Sequence, residues 1–287
     1  MNIKEIFYPQ SFNEAYDLLI SYPGPLKFLA GGTDLLIQLS DNECPASGII
    51  SLKNISELKE IRRNEEAKIF IGSMARHADV AQSSLINRHF PALAKASSLM
   101  GSPSIRNMGT IGGNICNASP SAETAPPLMI YEAGVLVWSS SEEKEIAIEN
   151  FFTGPSMNIL EKGEILKGFV LKPDEESVSD YEKLGIRKAM EIAIVNTAVS
   201  IVIEKNRCRQ ARIALGAVAP TPVRAKKAEK ALQKKKMTPE LIERAAELAA
   251  GETKPISDIR ASAEYRKKMT RIIVKRILTK LSVMSEV

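Results

Sequence analysis

Two glycine pairs are the residues best placed to do chemistry. One is Ala30-Gly31-Gly32-Thr33-Asp34-Leu35-Leu36, directly after a strand-like run, and the other is Thr110-Ile111-Gly112-Gly113-Asn114. Adjacent glycines let backbone N–H groups turn toward one concavity, and such nests bind phosphates and other anions. Thr33, Thr110 and Asn114 add side-chain donors. Two such loops could grip the two phosphates of a dinucleotide from both sides, although a lone Gly-Gly more often marks a tight turn. No GxGxxG fingerprint or GxxxxGK[ST] P-loop occurs, so the site is neither Rossmann-like nor kinase-like. Glu123, nine residues beyond Asn114, reads equally as an acceptor for sugar hydroxyls or as a loop acid capping the turn before Pro126.

The remaining chemistry is soon bounded. Cys44, Cys116 and Cys208 form no CxxC pair, which excludes a disulfide framework and an iron–sulfur cluster carried on this chain. With His77 and His89 alone, an all-protein zinc site lacks ligands.

The elements that position these residues follow from periodicity. Ser11 and Glu14 have capping-box spacing and open a helix that Pro23 to Pro25 stop. Lys27–Ala30, Ile49–Leu52 and Lys68–Ile71 read as strands of a small α/β unit. Asn87–Met100 reads as one helix closed by Gly101 and Pro103, and Ser102–Pro127 as a long folded loop that holds a ligand. Strands return at Val135–Trp138 and Ile165–Leu171, and the turn-rich Pro173–Asp180 marks a domain boundary. Beyond it, Ala193–Glu204 and Ala211–Val218 form a hairpin. Thr238 and Pro239 start one helix, and Ala263–Leu281 is a long amphipathic one.

The 287 residues are 44% hydrophobic and 25% charged, enough for a sizeable core and unlike a disordered or collagenous chain. The net charge of +5 is uneven: from Arg224 onward 17 Lys and Arg face 8 Asp and Glu. No aromatics interleave these cations to stack on bases, so nucleic acid is not the expected partner. Met1–Gln10 lacks the apolar stretch of a signal peptide and no 18-residue apolar run occurs, which predicts a reduced, soluble, cytoplasmic protein without a membrane span.

In combination, the motifs are more specific than any one of them. AGGTDLL (30–36), GSMARHADV (72–80), SIRNMGTIGGNICNASPSAET (104–124), KLGIRKAMEIAIVNTAVSI (183–201), APTPVRA (219–225) and SAEYRKKM (262–269) occur in that order over nearly the whole chain. Together they resemble the FAD-binding medium subunits of the molybdenum hydroxylases, the xanthine and carbon monoxide dehydrogenase type. The resemblance implies an α+β chain: a vanillyl-alcohol-oxidase (PCMH)-type FAD-binding domain, 1–176, of two α/β subdomains (1–60 and 61–176), then a C-terminal domain, 177–287, of three antiparallel strands plus helices. It implies FAD contacts at Phe28, Leu29, Ala30, Gly31, Gly32, Thr33, Asp34 and Leu35, and at Thr110, Ile111, Gly112, Gly113 and Asn114. Met100, Glu123, Leu166 and Lys183 fall on further contact positions.

Three departures stand out. Glu123 replaces the usual Asp, Met100 stands where some members have an aromatic, and the Arg187–Ala193 segment carries Glu191 for Asp. His77 lies away from the first glycine loop, where relatives of the fold attach flavin covalently, so it reads as a packing or flavin-adjacent residue. No catalytic side chain and no metal site are assigned. The implied partners are a molybdopterin-binding large subunit and a [2Fe–2S] small subunit in a dimer of heterotrimers, with FAD passing electrons to NAD+, oxygen or a quinone. A stand-alone flavin oxidoreductase and a non-catalytic docking module are the alternatives.

Overall fold

A computed structural model describes residues 3–140, 142–187 and 190–284. Three sheets follow one another along the chain. In the first, β1 (Glu5–Phe7) leads to α1 (Phe12–Ser21), where the Ser11 hydroxyl accepts from the Glu14 N–H and the Glu14 carboxylate accepts from the Gln10 N–H. β2 (Leu26–Leu29), α2 (Leu35–Ser40) and β3 (Gly48–Ser51) complete it, all parallel in the order β1-β3-β2. β3 is central and wholly buried, and Ala15, Ile50, Leu58 and Ile165 share its core.

The second sheet begins with β4 (Ile61–Arg63) and β5 (Ile69–Gly72). Six helices follow before it resumes: α3 (His77–Gln82), α4 (Ser84–His89), α5 (Pro91–Ser98), α6 (Pro103–Met108), α7 (Ile111–Asn117) and α8 (Ala125–Ile130). β6 (Gly134–Trp138), β7 (Glu143–Ala147), a small ribbon of β8 (Phe152–Gly154) and β9 (Met157–Asn158), and β10 (Ile165–Leu171) complete the unit. The main sheet is antiparallel in the order β4-β5-β10-β6-β7, with Ile69, Ile71, Val135 and Phe169 in the core beneath the helices.

Two expectations need correcting here. Asn87–Met100 is not one helix. Pro91 has no N–H to continue α4, so α4 ends at His89 and Pro91 opens α5. Nor is Ser102–Pro127 a loop, because it holds α6, α7 and the start of α8. Ser102 caps α6 by accepting from the Ile105 N–H, Thr110 caps α7, and prolines stand in the first turns of α6 and α8.

The third sheet is β11 (Val178–Leu184), β12 (Val195–Glu204), β13 (Arg207–Gly216) and β14 (Val223–Arg224), antiparallel in that order. Three long strands are the number the resemblance implies; β13 starts at Arg207 rather than Ala211, β11 begins within the expected turn-rich segment Pro173–Asp180, and the two-residue β14 adds an edge. The hairpin turns at Lys205-Asn206, both at positive φ (49° and 61°), as a two-residue turn between twisted strands requires. One face packs on α9 (Lys226–Leu232), α10 (Pro239–Gly251) and α11 (Ala263–Met284). On the other, Tyr181, Ala198 and Ala214 join the core of the second sheet. Residues 195–202 are therefore buried without alternation. No helix among the described residues is long and apolar enough to cross a membrane.

Candidate functional site

A cleft of about 580 Å³ opens where the first sheet, α6, α7 and the entry to β12 converge, within the usual size range of small-molecule sites. Its first wall is the turn after β2. A Cβ on Gly31 would stand 2.1 Å from the Met108 carbonyl oxygen and 2.8 Å from the Gly109 Cα, so only glycine lets this turn close against the α6–α7 junction. Gly32 has φ +75°, the left-handed region. The Asp34 carboxylate accepts from the Thr33 hydroxyl and from the Asn117 amide, both at 3.2 Å, which ties the turn to the end of α7. The backbone N–H groups of Gly31, Gly32 and Thr33 have no partner among the described residues and remain available to an anion.

The second pair behaves differently. Its N–H groups are engaged: Ile111 donates to the Ala75 carbonyl (3.0 Å), Gly112 to the Ser73 carbonyl (2.9 Å) and Gly113 to the Thr110 hydroxyl (3.1 Å). The expected double nest is thus a single one. The second pair instead provides close approach and room. A Cβ on Gly112 would lie 2.5 Å from the Ser73 side chain, whereas one on Gly113 would meet only the Thr110 hydroxyl (3.0 Å) and the Ala30 Cβ (3.8 Å).

Next to the second glycine pair, the Asn114 side-chain oxygen accepts from the Thr124 hydroxyl (2.6 Å) and backbone N–H (3.3 Å), which fixes the segment carrying Glu123. Glu123 makes no cap; it is 7% exposed and its carboxylate meets Lys183 Nζ at 2.8 Å. Burial pushes its carboxyl up from the ordinary carboxylate range, and Lys183 pulls it back. Lys183 also donates to the Glu191 carbonyl at 2.9 Å, joining β11 to the chain that enters β12.

Of the residues anticipated from sequence, Phe28, Ala30, Gly31, Gly32, Thr33, Asp34, Leu35, Met100, Thr110, Gly112, Gly113, Asn114, Glu123 and Leu166 line this one cleft. Leu29, Ile111 and Lys183 do not: Leu29 ends β2, Ile111 is enclosed in the core, and Lys183 stands behind Glu123. Pattern reading missed Ser73, Met74, Asn117 and Met190. All four fall inside the motifs that carry the resemblance, which was the signal available for them. Glu191 turns its carboxylate to the Arg187 N–H (2.8 Å), while Lys188 and Ala189 of the same motif lie outside the described residues.

Acid–base groups at the cleft are muted. Burial pushes the Cys116 thiol up to about 12, so it stays protonated. Burial first, then the charge of Arg106, holds the His77 imidazole down at about 4. His89 lies elsewhere, buried between Arg63 (2.9 Å) and Glu175 (2.9 Å), a packing role. No group of three or more metal-ligating side chains occurs among the described residues. Free N–H groups, a buried carboxylate and the apolar Phe28, Met100 and Leu166 fit a dinucleotide with an anionic middle and flat rings. The cleft supplies binding and orientation and leaves the redox step to the bound group.

Comparisons with known proteins identify the family. Residues 2–171 match the family model "FAD binding domain in molybdopterin dehydrogenase" and residues 180–281 match "CO dehydrogenase flavoprotein C-terminal domain". The xanthine dehydrogenase FAD-binding subunit of Escherichia coli O157:H7 is 34% identical over 268 residues, 93% of this chain and 91% of that one. The nicotinate dehydrogenase FAD-subunit of Eubacterium barkeri is 30% identical over 95% of this chain and 94% of its own. A carbon monoxide dehydrogenase structure from Hydrogenophaga pseudoflava superposes with a TM-score of 0.93 at 31% identity, covering 99% of this chain and 98% of that one.

Proposed function

The chain belongs to the FAD-binding subunits of the molybdenum hydroxylases, the xanthine and carbon monoxide dehydrogenase type, and from that premise we propose that it relays electrons between [2Fe–2S] clusters on a partner subunit and NAD+ or another acceptor. FAD, when bound, supplies the reversible redox chemistry. The chain's own residues bind and orient it. Gly31, Gly32 and Thr33 offer N–H groups to the diphosphate, Glu123 accepts from sugar-type hydroxyls, and Met100 and Leu166 shield the rings. Lys183 holds Glu123 in place from behind. Gly113 keeps the floor of the cleft open.

One observation carries this reading: three residues with unpartnered backbone donors and a buried, lysine-braced carboxylate line the same cleft. The partner half is supported by exposed apolar side chains on α2 and α6, Leu36, Ile37 and Met108, at 43%, 61% and 60%. Apolar side chains clustered at a site mark contact surfaces. The relatives' names, FAD-binding subunit and medium chain, also speak for companions, here a molybdopterin-binding large chain and a cluster-bearing small one in the cytoplasm. Neither Cys116, whose thiol stays protonated, nor His77, whose imidazole is held down at about 4, is a strong base for a stand-alone oxidase. In this reading the FAD-binding domain is 1–176 and the C-terminal domain 177–287, close to the matched spans 2–171 and 180–281.

The test is made on the assembled complex. On adding the large subunit's substrate without oxygen, the flavin absorbance should bleach after the clusters reduce and recover on adding an acceptor. Clusters that reduce while the flavin stays oxidised would sink the relay.

A further inference from the structure

We propose that His77 donates a hydrogen bond from Nε2 to the FAD diphosphate, at the point where the two glycine segments meet; this rests on FAD occupying the cleft. His77 is the first residue of α3, and its backbone N–H donates to the Gly109 carbonyl at 3.0 Å. A Cβ built on Gly109 would lie 3.3 Å from the His77 ring at Cδ2 and 3.5 Å from the Thr33 hydroxyl. The ring edge that ends in Nε2 thus flanks the same spot as the first glycine turn, whose N–H groups are free. The residue lines the cleft yet is only 2% exposed.

Its other nitrogen, Nδ1, is enclosed and has no partner among the described residues. An enclosed N–H without an acceptor is disfavoured more than an unfilled lone pair, which puts the proton on Nε2. No acid competes for that proton. Asp34, on the facing turn, accepts from Thr33 and Asn117, and Asp79, on the same helix, pairs with Arg76. The charge acting on the ring is Arg106 of α6. A donor in the field of a guanidinium suits an anionic acceptor such as a phosphate oxygen.

The test uses the full chain stripped of flavin and titrated with FAD. His77→Phe should weaken FAD binding roughly 10- to 100-fold, the weight of one hydrogen bond to a charged group. His77→Gln, which keeps a donor at the Nε2 position, should restore most of it. A merely structural role would not move the second readout, the imidazole signals of the 15N-histidine-labelled parent. The chain has two histidines, so on FAD addition the His77 Nε2 signal should shift while His89 serves as the fixed control. A His77→Phe chain that binds FAD as tightly as the parent would overturn the proposal. An unmoved His77 signal during FAD uptake would do the same, even if the variant fails to fold. A parent that takes up no FAD overturns the dinucleotide reading itself, and this proposal with it.

Discussion

At Glu123 two effects compete, and their balance sets the cleft's chemistry. Burial favours the neutral carboxyl, and Lys183, itself 3% exposed, favours the charged one. Removing one partner of such a pair strands the other. Lys183→Met should therefore lower stability by about 3–5 kcal/mol at pH 7.5. The loss should shrink toward pH 5, where an unpaired carboxyl with a raised pKa takes up its proton, and Glu123→Gln added to it should restore most of the stability; urea unfolding at both pH values reads this. His77 has the opposite sign. Its imidazole titrates near 4 in the fold against 6.5 unfolded, so stability is full above pH 6.5 and falls as pH drops toward 4. The contribution is about 2–3 kcal/mol, and urea unfolding of His77→Gln beside the parent should show it gone. The glycine pairs drew attention by residue type, but Glu123 read equally as a hydroxyl acceptor or a capping acid, and only the combined motifs singled it out. What remained hidden was the state of their hydrogen bonds: nothing in Thr110–Asn114 says that its N–H groups are taken by Ser73, Ala75 and Thr110.

The elements show where pattern reading fails. β10, α10 and α11 are long enough to display a period, and the hairpin of β12 and β13 declares itself through β-branched runs around a polar turn. α6, α7 and α8 span six or seven residues, under two turns, and show none. Their caps, Ser102 and Thr110, were not read as caps from the sequence. Thr110 is the cap that matters most, since its hydroxyl accepts from the Gly113 N–H on the cleft floor. Thr110→Ala should cost about 0.5–2 kcal/mol of stability and weaken FAD binding, and Thr110→Ser should restore both. Thermal melts with and without FAD separate the two effects.

Over the whole molecule, charge does more joining than display. The basic excess after Arg224 reads from sequence as a partly partner-facing or simply solvated surface. Yet Arg224 pairs with Glu149 and Glu229, Arg276 with Glu182, and Lys280 with Asp180, so part of it fastens the C-terminal helices to the rest of the chain. Lys234, Lys235 and Lys236 remain exposed. The exposed apolar side chains of α2 and α6 are the stronger docking feature. Replacing Ile37 and Met108 together with Glu should leave FAD content unchanged and abolish co-purification with the partner subunits. Loss of flavin in that variant would place these side chains in the cofactor site instead.

The central claim is that the cleft between the glycine turns is where FAD sits. Gly113 tests it most directly, because a side chain there enters open space with one close neighbour, the Thr110 hydroxyl. Acid-released FAD per folded chain, measured for the parent and for Gly113→Leu, decides the matter. The account predicts stoichiometric FAD in the parent and none in a Gly113→Leu chain that melts at the same temperature. A folded Gly113→Leu chain carrying as much FAD as the parent would contradict it.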